Sequence, residues 1–195
     1  MKISKYADDY RLENKKGKNG KLKTVPMYDG KLYEFVYPDE YGRAKKHFIG
    51  FAALIMILYI VAFLMKTVTM RRWYVTMPYA AVSFPFIFLC ASIYRFAAIK
   101  TRDVELFNKH RKPKSGLIIT REDHDKIYGR VAMCTFLMLF FSIASLVGGI
   151  VSAIIAKSMS SPDWVYAVCV TGTILSSLHL FLIKEFLKTE EIDKT

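Results

Sequence analysis

Glu122-Asp123-His124-Asp125 places three carboxylates and an imidazole side by side, the groups from which metal sites are built. Their spacing argues against one. On a helix neighbouring positions point in different directions, and chelating pairs stand three or four apart. The run therefore reads as the solvated, acid-rich first turn of a helix, with Thr120 and Asp123 in an N-cap arrangement. His47 and His110 sit among basic residues with no repeated ligand spacing. Cys90, Cys134 and Cys169 are isolated within apolar stretches, without a CxxC, and read as small core residues. With no GxSxG, HExxH, Walker-type loop or GxGxxG in the chain, the sequence assigns no catalytic residue, no metal and no cofactor, and a non-enzymatic role is expected.

Three other features carry chemistry of a different kind. His179 lies inside an apolar stretch, where an ionisable group is by default a candidate proton relay or substrate contact, and Pro85, interior to the second apolar stretch, should kink that helix. Because Lys184 follows only five residues later, a quieter polar contact to Ser176 or a neighbouring helix is the preferred expectation for His179. Ala144, Gly148, Ser152 and Ala156 recur every four residues, with Ser145, Gly149 and Ala153 in a row beside them. In lipid such a face lets another backbone approach closely, and the chain's own helices are favoured over a second subunit as its mate, with Gly172 and Ser176 as the expected contact. Lys100, Arg102, Lys109, Arg111, Lys112 and Lys114 form a basic cluster that fixes topology and can attract anionic lipid.

The elements that position these residues follow from how the apolar residues are distributed. Of the 195 residues 53% are hydrophobic, and they gather into four stretches free of formal charge at 48–65, 73–94, 131–156 and 164–183. Each approaches the roughly 20 residues that a helix needs to cross a bilayer. A compact water-soluble fold, a disordered chain and a disulfide scaffold are excluded, and the expected class is an all-α integral membrane protein with four transmembrane helices. Pro78 near the start of the second stretch is expected to be tolerated. Ser161-Pro162-Asp163 reads as the start of the fourth helix, and Trp73 and Trp164 suit membrane interfaces. A third helix running from Arg121 to Ala156 would be about 54 Å long, more than one bilayer thickness.

Lys and Arg outnumber Asp and Glu 29 to 17, giving a net charge of +12. No nucleic-acid-binding motif accompanies this charge, so nucleic acid is not an expected partner. Segments 1–47, 95–130 and 184–195 together hold 25 of the basic residues and the two intervening loops hold four. The positive-inside rule then places both termini and the 95–130 loop in the cytoplasm of a cell-membrane protein. The first helix should act as an uncleaved signal anchor, since its apolar stretch begins only at Phe48. Residues 1–42 form a cytoplasmic segment in which strands at 9–15, 21–27 and 31–37 are expected to make a small β-meander, turning at 16–20 and at Asp29-Gly30; residues 43–195 form the transmembrane domain. Pro26 is awkward in the second strand, and so small a sheet needs support from the membrane, the 95–130 loop or a partner. The leading expectation is an accessory or assembly subunit of a membrane complex, in contact with lipid and with a membrane-protein partner or a second copy. The alternative is a small homo-oligomeric transporter or channel with Pro85 and His179 on its pathway.

Overall fold

The computed structural model describes residues 7–16, 22–65, 72–99, 117–157 and 159–192. Four helical segments dominate them, each long and apolar enough to cross a membrane. The first is α1 (Tyr41–Leu64), and the second is made of α2 (Trp73–Ala81) and α3 (Ser83–Ala97). The third begins with α4 (Arg121–His124), passes through one π-helical turn (Asp125–Gly129) and continues as α5 (Arg130–Ala156). The fourth is α6 (Ser161–Ile183), extended by a 3₁₀ turn at Lys184–Leu187. Helices α1 and α5 both pack on α6, and α2 and α3 pack on α5.

Polarity in this bundle is arranged for an apolar surrounding. Ser92, Thr135, Ser142, Ser145, Thr173, Ser176 and Ser177 are buried, while Ile57, Phe84, Ile87, Phe88, Phe136, Phe140, Ile154, Val168 and Leu182 are exposed. In water such an apolar surface would far exceed what monomeric soluble proteins present, whereas lipid accepts it. The axis is filled by Phe48, Ile55, Val75, Tyr79, Leu89, Met138 and Leu180, all fully buried. Trp73 and Trp164 are 76% and 60% exposed, at the first turns of α2 and α6.

Local chemistry sets where the helices start and stop. The carboxylate of Asp163 accepts from the Ser160 amide at 2.9 Å and from its hydroxyl at 2.6 Å, so α6 is capped one residue earlier than the sequence reading placed it. Helix α5 ends at Lys157, whose φ of 52° turns the chain out of the helix. At the C-terminus of α3, the Tyr41 hydroxyl donates to Phe96 O at 2.7 Å and the Lys45 ammonium to Ala97 O at 2.7 Å. These α1 side chains satisfy carbonyls that a helix end leaves open, and the ammonium also opposes the negative end of the dipole.

Both prolines act inside the second span. Pro78 lies within α2 rather than at its tolerated start, and so denies Tyr74 O its amide donor. The span breaks at Val82, three residues before Pro85, where the Ser83 hydroxyl donates to Ala80 O at 2.7 Å and the Tyr59 hydroxyl reaches the same oxygen at 3.4 Å. One carbonyl next to the break is thus met by two side chains, the kind of substitute a kinked helix in lipid needs.

The strands depart from the expected meander. Strands β1 (Tyr10–Lys16) and β2 (Leu22–Tyr28) do form an antiparallel ribbon, Leu12 opposite Pro26, but among the described residues it has two strands only. A ribbon leaves each strand one free edge, where proline is admissible. The third strand, β3 (Leu32–Phe35), leaves the ribbon and becomes the centre of a different sheet, between β4 (Ile118–Thr120) and β5 (Thr189–Glu191), antiparallel to both. Burial explains the choice. Leu32 and Phe35 are almost wholly buried, Leu32 with Ile118 and Ile192 and Phe35 against the rings of Tyr41 and Phe96. The end of the bundle supplies that apolar bed. The N-terminal segment, the segment before α4 and the C-terminal segment therefore meet at one end of the bundle.

Candidate functional site

Two arrangements hold the residues that the sequence singled out. The first is the seam between α2, α5 and α6. A Cβ built on Gly148 would lie 2.9 Å from Tyr74 O, the carbonyl that Pro78 leaves without its helical donor. One turn earlier, the Ser145 hydroxyl donates to Val75 O at 3.0 Å and also shares a hydrogen bond with the buried Tyr166 hydroxyl. The ring of Tyr79 stands edge-on to that of Tyr166 at 5.7 Å and stacks on Tyr59 at 5.1 Å. A close backbone approach, a serine and a tyrosine cluster thus join three helices at the point where proline has opened one of them.

The rest of the small-residue row divides between inside and outside. Ser152 is buried, Ala144 is half-buried, and Ala156 is exposed at the end of α5. In the parallel row, Gly149 and Ala153 line an apolar groove of about 440 Å³ between α5 and α6, along with Ile150, Ile154 and Trp164. Gly172 does not mate with this face. Its Cβ position lies 2.8 Å from Leu58 Cδ1, so it serves the α1–α6 contact.

The second arrangement surrounds His179, near the sheet end of α6. Its ring centroid is 4.1 Å from that of Phe51 and 5.7 Å from that of His47, both on α1. Nε2 is buried with no hydrogen-bond partner among the described residues, so the anticipated polar contact to Ser176 or a neighbouring helix is not made through this atom. The Ser142 and Ser177 hydroxyls are also buried without partners, but a helical serine can turn its hydroxyl to a carbonyl of the preceding turn, which an imidazole cannot do. His179 instead borders a cavity of about 220 Å³, lined also by Glu40, Arg43, Ala44, His47, Ile183 and Phe186. Arg43 stands 3.8 Å from Glu40. Pro85, the other residue of the expected pathway, is buried on α3, which packs on α5.

The acid-rich run at the start of the third span disperses to separate partners. Thr120 Oγ1 accepts from the Asp123 amide at 3.3 Å, Glu122 pairs with Lys126, and Asp123 stands 3.6 Å from Arg95. His124 stacks on Tyr33 of β3 at 4.3 Å and hydrogen-bonds Thr189 Oγ1 of β5 through Nδ1. This imidazole joins the helix start to the sheet. The π turn that follows is met by Ser92, whose hydroxyl donates to Lys126 O at 2.9 Å. Among the described residues, no group of three or more His, Cys, Asp or Glu side chains is arranged to hold a metal ion.

Lys100, Arg102, Lys109, Arg111, Lys112 and Lys114 lie outside the described residues. The sequence reading missed the pairing of His47 with His179 and the tyrosine cluster. A signal for the histidines was present, because His47 immediately precedes the first apolar stretch and His179 falls near the end of the fourth, which sets both at one depth if the helices are antiparallel. Comparison with family models, with curated proteins and with solved structures finds no match to this chain.

Proposed function

We propose that this chain is a four-span membrane protein, its sheet end in the cytoplasm, that serves as an accessory or assembly subunit of a membrane complex. The observation that carries the proposal is the sheet. Three segments far apart in sequence combine at the most basic end of the bundle to make a support, and among the described residues the ribbon β1–β2 beside it in sequence pairs only with itself. Two seven-residue strands whose outer edges pair with no other described residue offer a protein partner a place to add a strand, with backbone hydrogen bonds for affinity and alternate side chains for selectivity. The orientation is supported by the excess of Lys and Arg in the three segments that meet there.

Blue-native electrophoresis of membranes dissolved in a mild detergent tests the assignment. The full-length chain should migrate in an assembly larger than itself, and Leu12→Asp with Asn14→Pro, both on β1, should release it while leaving membrane insertion intact. A chain that runs as a monomer from its native membrane, or reproducible solute flux by the purified protein in liposomes, would refute it.

A further inference from the structure

We infer that the cavity between α1 and α6 at the sheet end, with the open hollow beside it on α1, binds one anionic phospholipid, its phosphate among Arg43, Lys46, His47 and His179 and an acyl chain along Gly50 and Leu54. The inference rests on the reading of the helices as membrane spans.

Two hollows make up the site. The cavity bordered by Arg43, His47 and His179 adjoins an open hollow of about 360 Å³ lined by Lys46, His47, Gly50, Phe51 and Leu54, and His47 belongs to both. Along α1 the lining passes from two cations through an imidazole to a glycine, an aromatic ring and a leucine. Spacings of three and four keep these residues on one face. That order, charge first and then hydrocarbon, is the order of a phospholipid from phosphate to acyl chain. A Cβ built on Gly50 meets nothing within 4 Å, so the hollow stays open where a chain would lie.

Depth agrees with this order. His47 directly precedes the apolar stretch of α1, and His179 lies four residues before the end of α6 at Ile183, which puts the histidines at the boundary between headgroups and hydrocarbon. His179 lines the cavity, so a turn of its ring would bring the Nε2 that is buried and unmatched here to a phosphate oxygen there. Charge selects the anionic class. The carboxylate in this lining is Glu40, 3.8 Å from Arg43, against the two cations Arg43 and Lys46, and the Arg43 side chain is 74% exposed with donors to spare.

Native mass spectrometry of the full-length, delipidated protein in detergent tests the site, with phosphatidylglycerol, phosphatidylcholine and inorganic phosphate as probes. The first phosphatidylglycerol should bind about tenfold more tightly than the first phosphatidylcholine, because the choline ammonium cancels the phosphate charge that Arg43 and Lys46 attract. Gly50→Leu, which fills open space, and His179→Leu should each weaken the binding of both lipids severalfold, whereas Arg43→Gln with Lys46→Gln should abolish most of the preference. Equal binding of the two lipids by the unsubstituted chain would overturn the inference, as would phosphatidylglycerol binding that is undiminished in Gly50→Leu while circular dichroism shows its helices intact. Displacement of phosphatidylglycerol by inorganic phosphate at equal concentration would also overturn it, since the site would then serve a free anion. Release of the protein from membranes by carbonate would count instead against the spans, whereas a carbonate-resistant chain with no lipid preference would count against this site alone.

Discussion

Gly148→Ala is the sharpest test of the packing. The added methyl group would lie 2.9 Å from Tyr74 O, 3.3 Å from Tyr74 Cδ2 and 3.4 Å from Val75 Cγ2. Ordinary contact begins near 3.4 Å, so α2 and α5 must part by about half an ångström. The nearest atom is backbone and cannot rotate away. Separation also lengthens the Ser145–Val75 O bond from 3.0 Å towards the limit of a hydrogen bond. Overpacking of this kind costs about 1–3 kcal/mol, against a gain of about 1 kcal/mol in helix propensity for alanine over glycine. A net loss of about 1 kcal/mol is expected. Two glycines serve as internal controls. At Gly172 the obstruction is the tip of Leu58, which can turn aside, so Gly172→Ala should be nearly neutral, and at Gly50 nothing lies within 4 Å, so Gly50→Ala should stabilise by about 0.5–1 kcal/mol. Unfolding by SDS in mixed micelles, followed through the fluorescence of Trp73 and Trp164, ranks the three. A Gly148→Ala protein as stable as the unsubstituted chain, or less harmed than Gly172→Ala, would refute the close approach of α5 to the Tyr74 carbonyl.

Other consequences can be measured alongside. Ser145→Ala leaves Tyr166 and Val75 O without their shared partner and should cost about 1–2 kcal/mol in the same assay, whereas Ser161→Ala, outside the cap made by Ser160, should change little. Phe35→Ala empties the bed formed with Tyr41 and Phe96, so amide exchange in β3 and β5 should speed up together while the helices keep their protection. Loss at about 3 kcal/mol or more is expected for so buried an aromatic, and unchanged exchange would mean that the sheet does not depend on the bundle. The ammonium of Lys31 bonds Glu191 at 3.0 Å, and this carboxylate raises the lysine's pKa. The pair should therefore support β5 below the lysine's ordinary pKa of about 10.4 and be lost as pH rises through the raised value, which nitrogen NMR of the Lys31 side chain can follow. With Cys90 replaced by alanine, an impermeant maleimide added to intact cells should label Met159→Cys and spare Glu190→Cys. The reverse pattern would invert the proposed orientation.

The amino-acid sequence by itself determined the four apolar spans, because a run of some 20 uncharged residues carries its own helical hydrogen bonding and needs no distant partner to define it. It likewise located the Thr120–Asp123 cap and the start of α6 to within one residue, since caps depend on neighbours in sequence. The first two strands were legible from their turn, but the partner of the third was not. A strand of four residues contains no record of whether its mates lie next to it or more than 80 residues away, and only the apolar end of the folded bundle drew Leu32 and Phe35 out of the ribbon. The same holds for the sites. Small residues at intervals of four announced a close contact, yet its place opposite Pro78 depends on how two helices meet, and Gly172 went to α1 instead. His47 and His179 are separated by more than 130 residues and acquire a common meaning only when α1 and α6 bring their rings within 5.7 Å. Periodicity and capping are local properties of a chain, whereas the pairing of elements is settled by which surfaces can be buried against each other, and tertiary structure alone decides that.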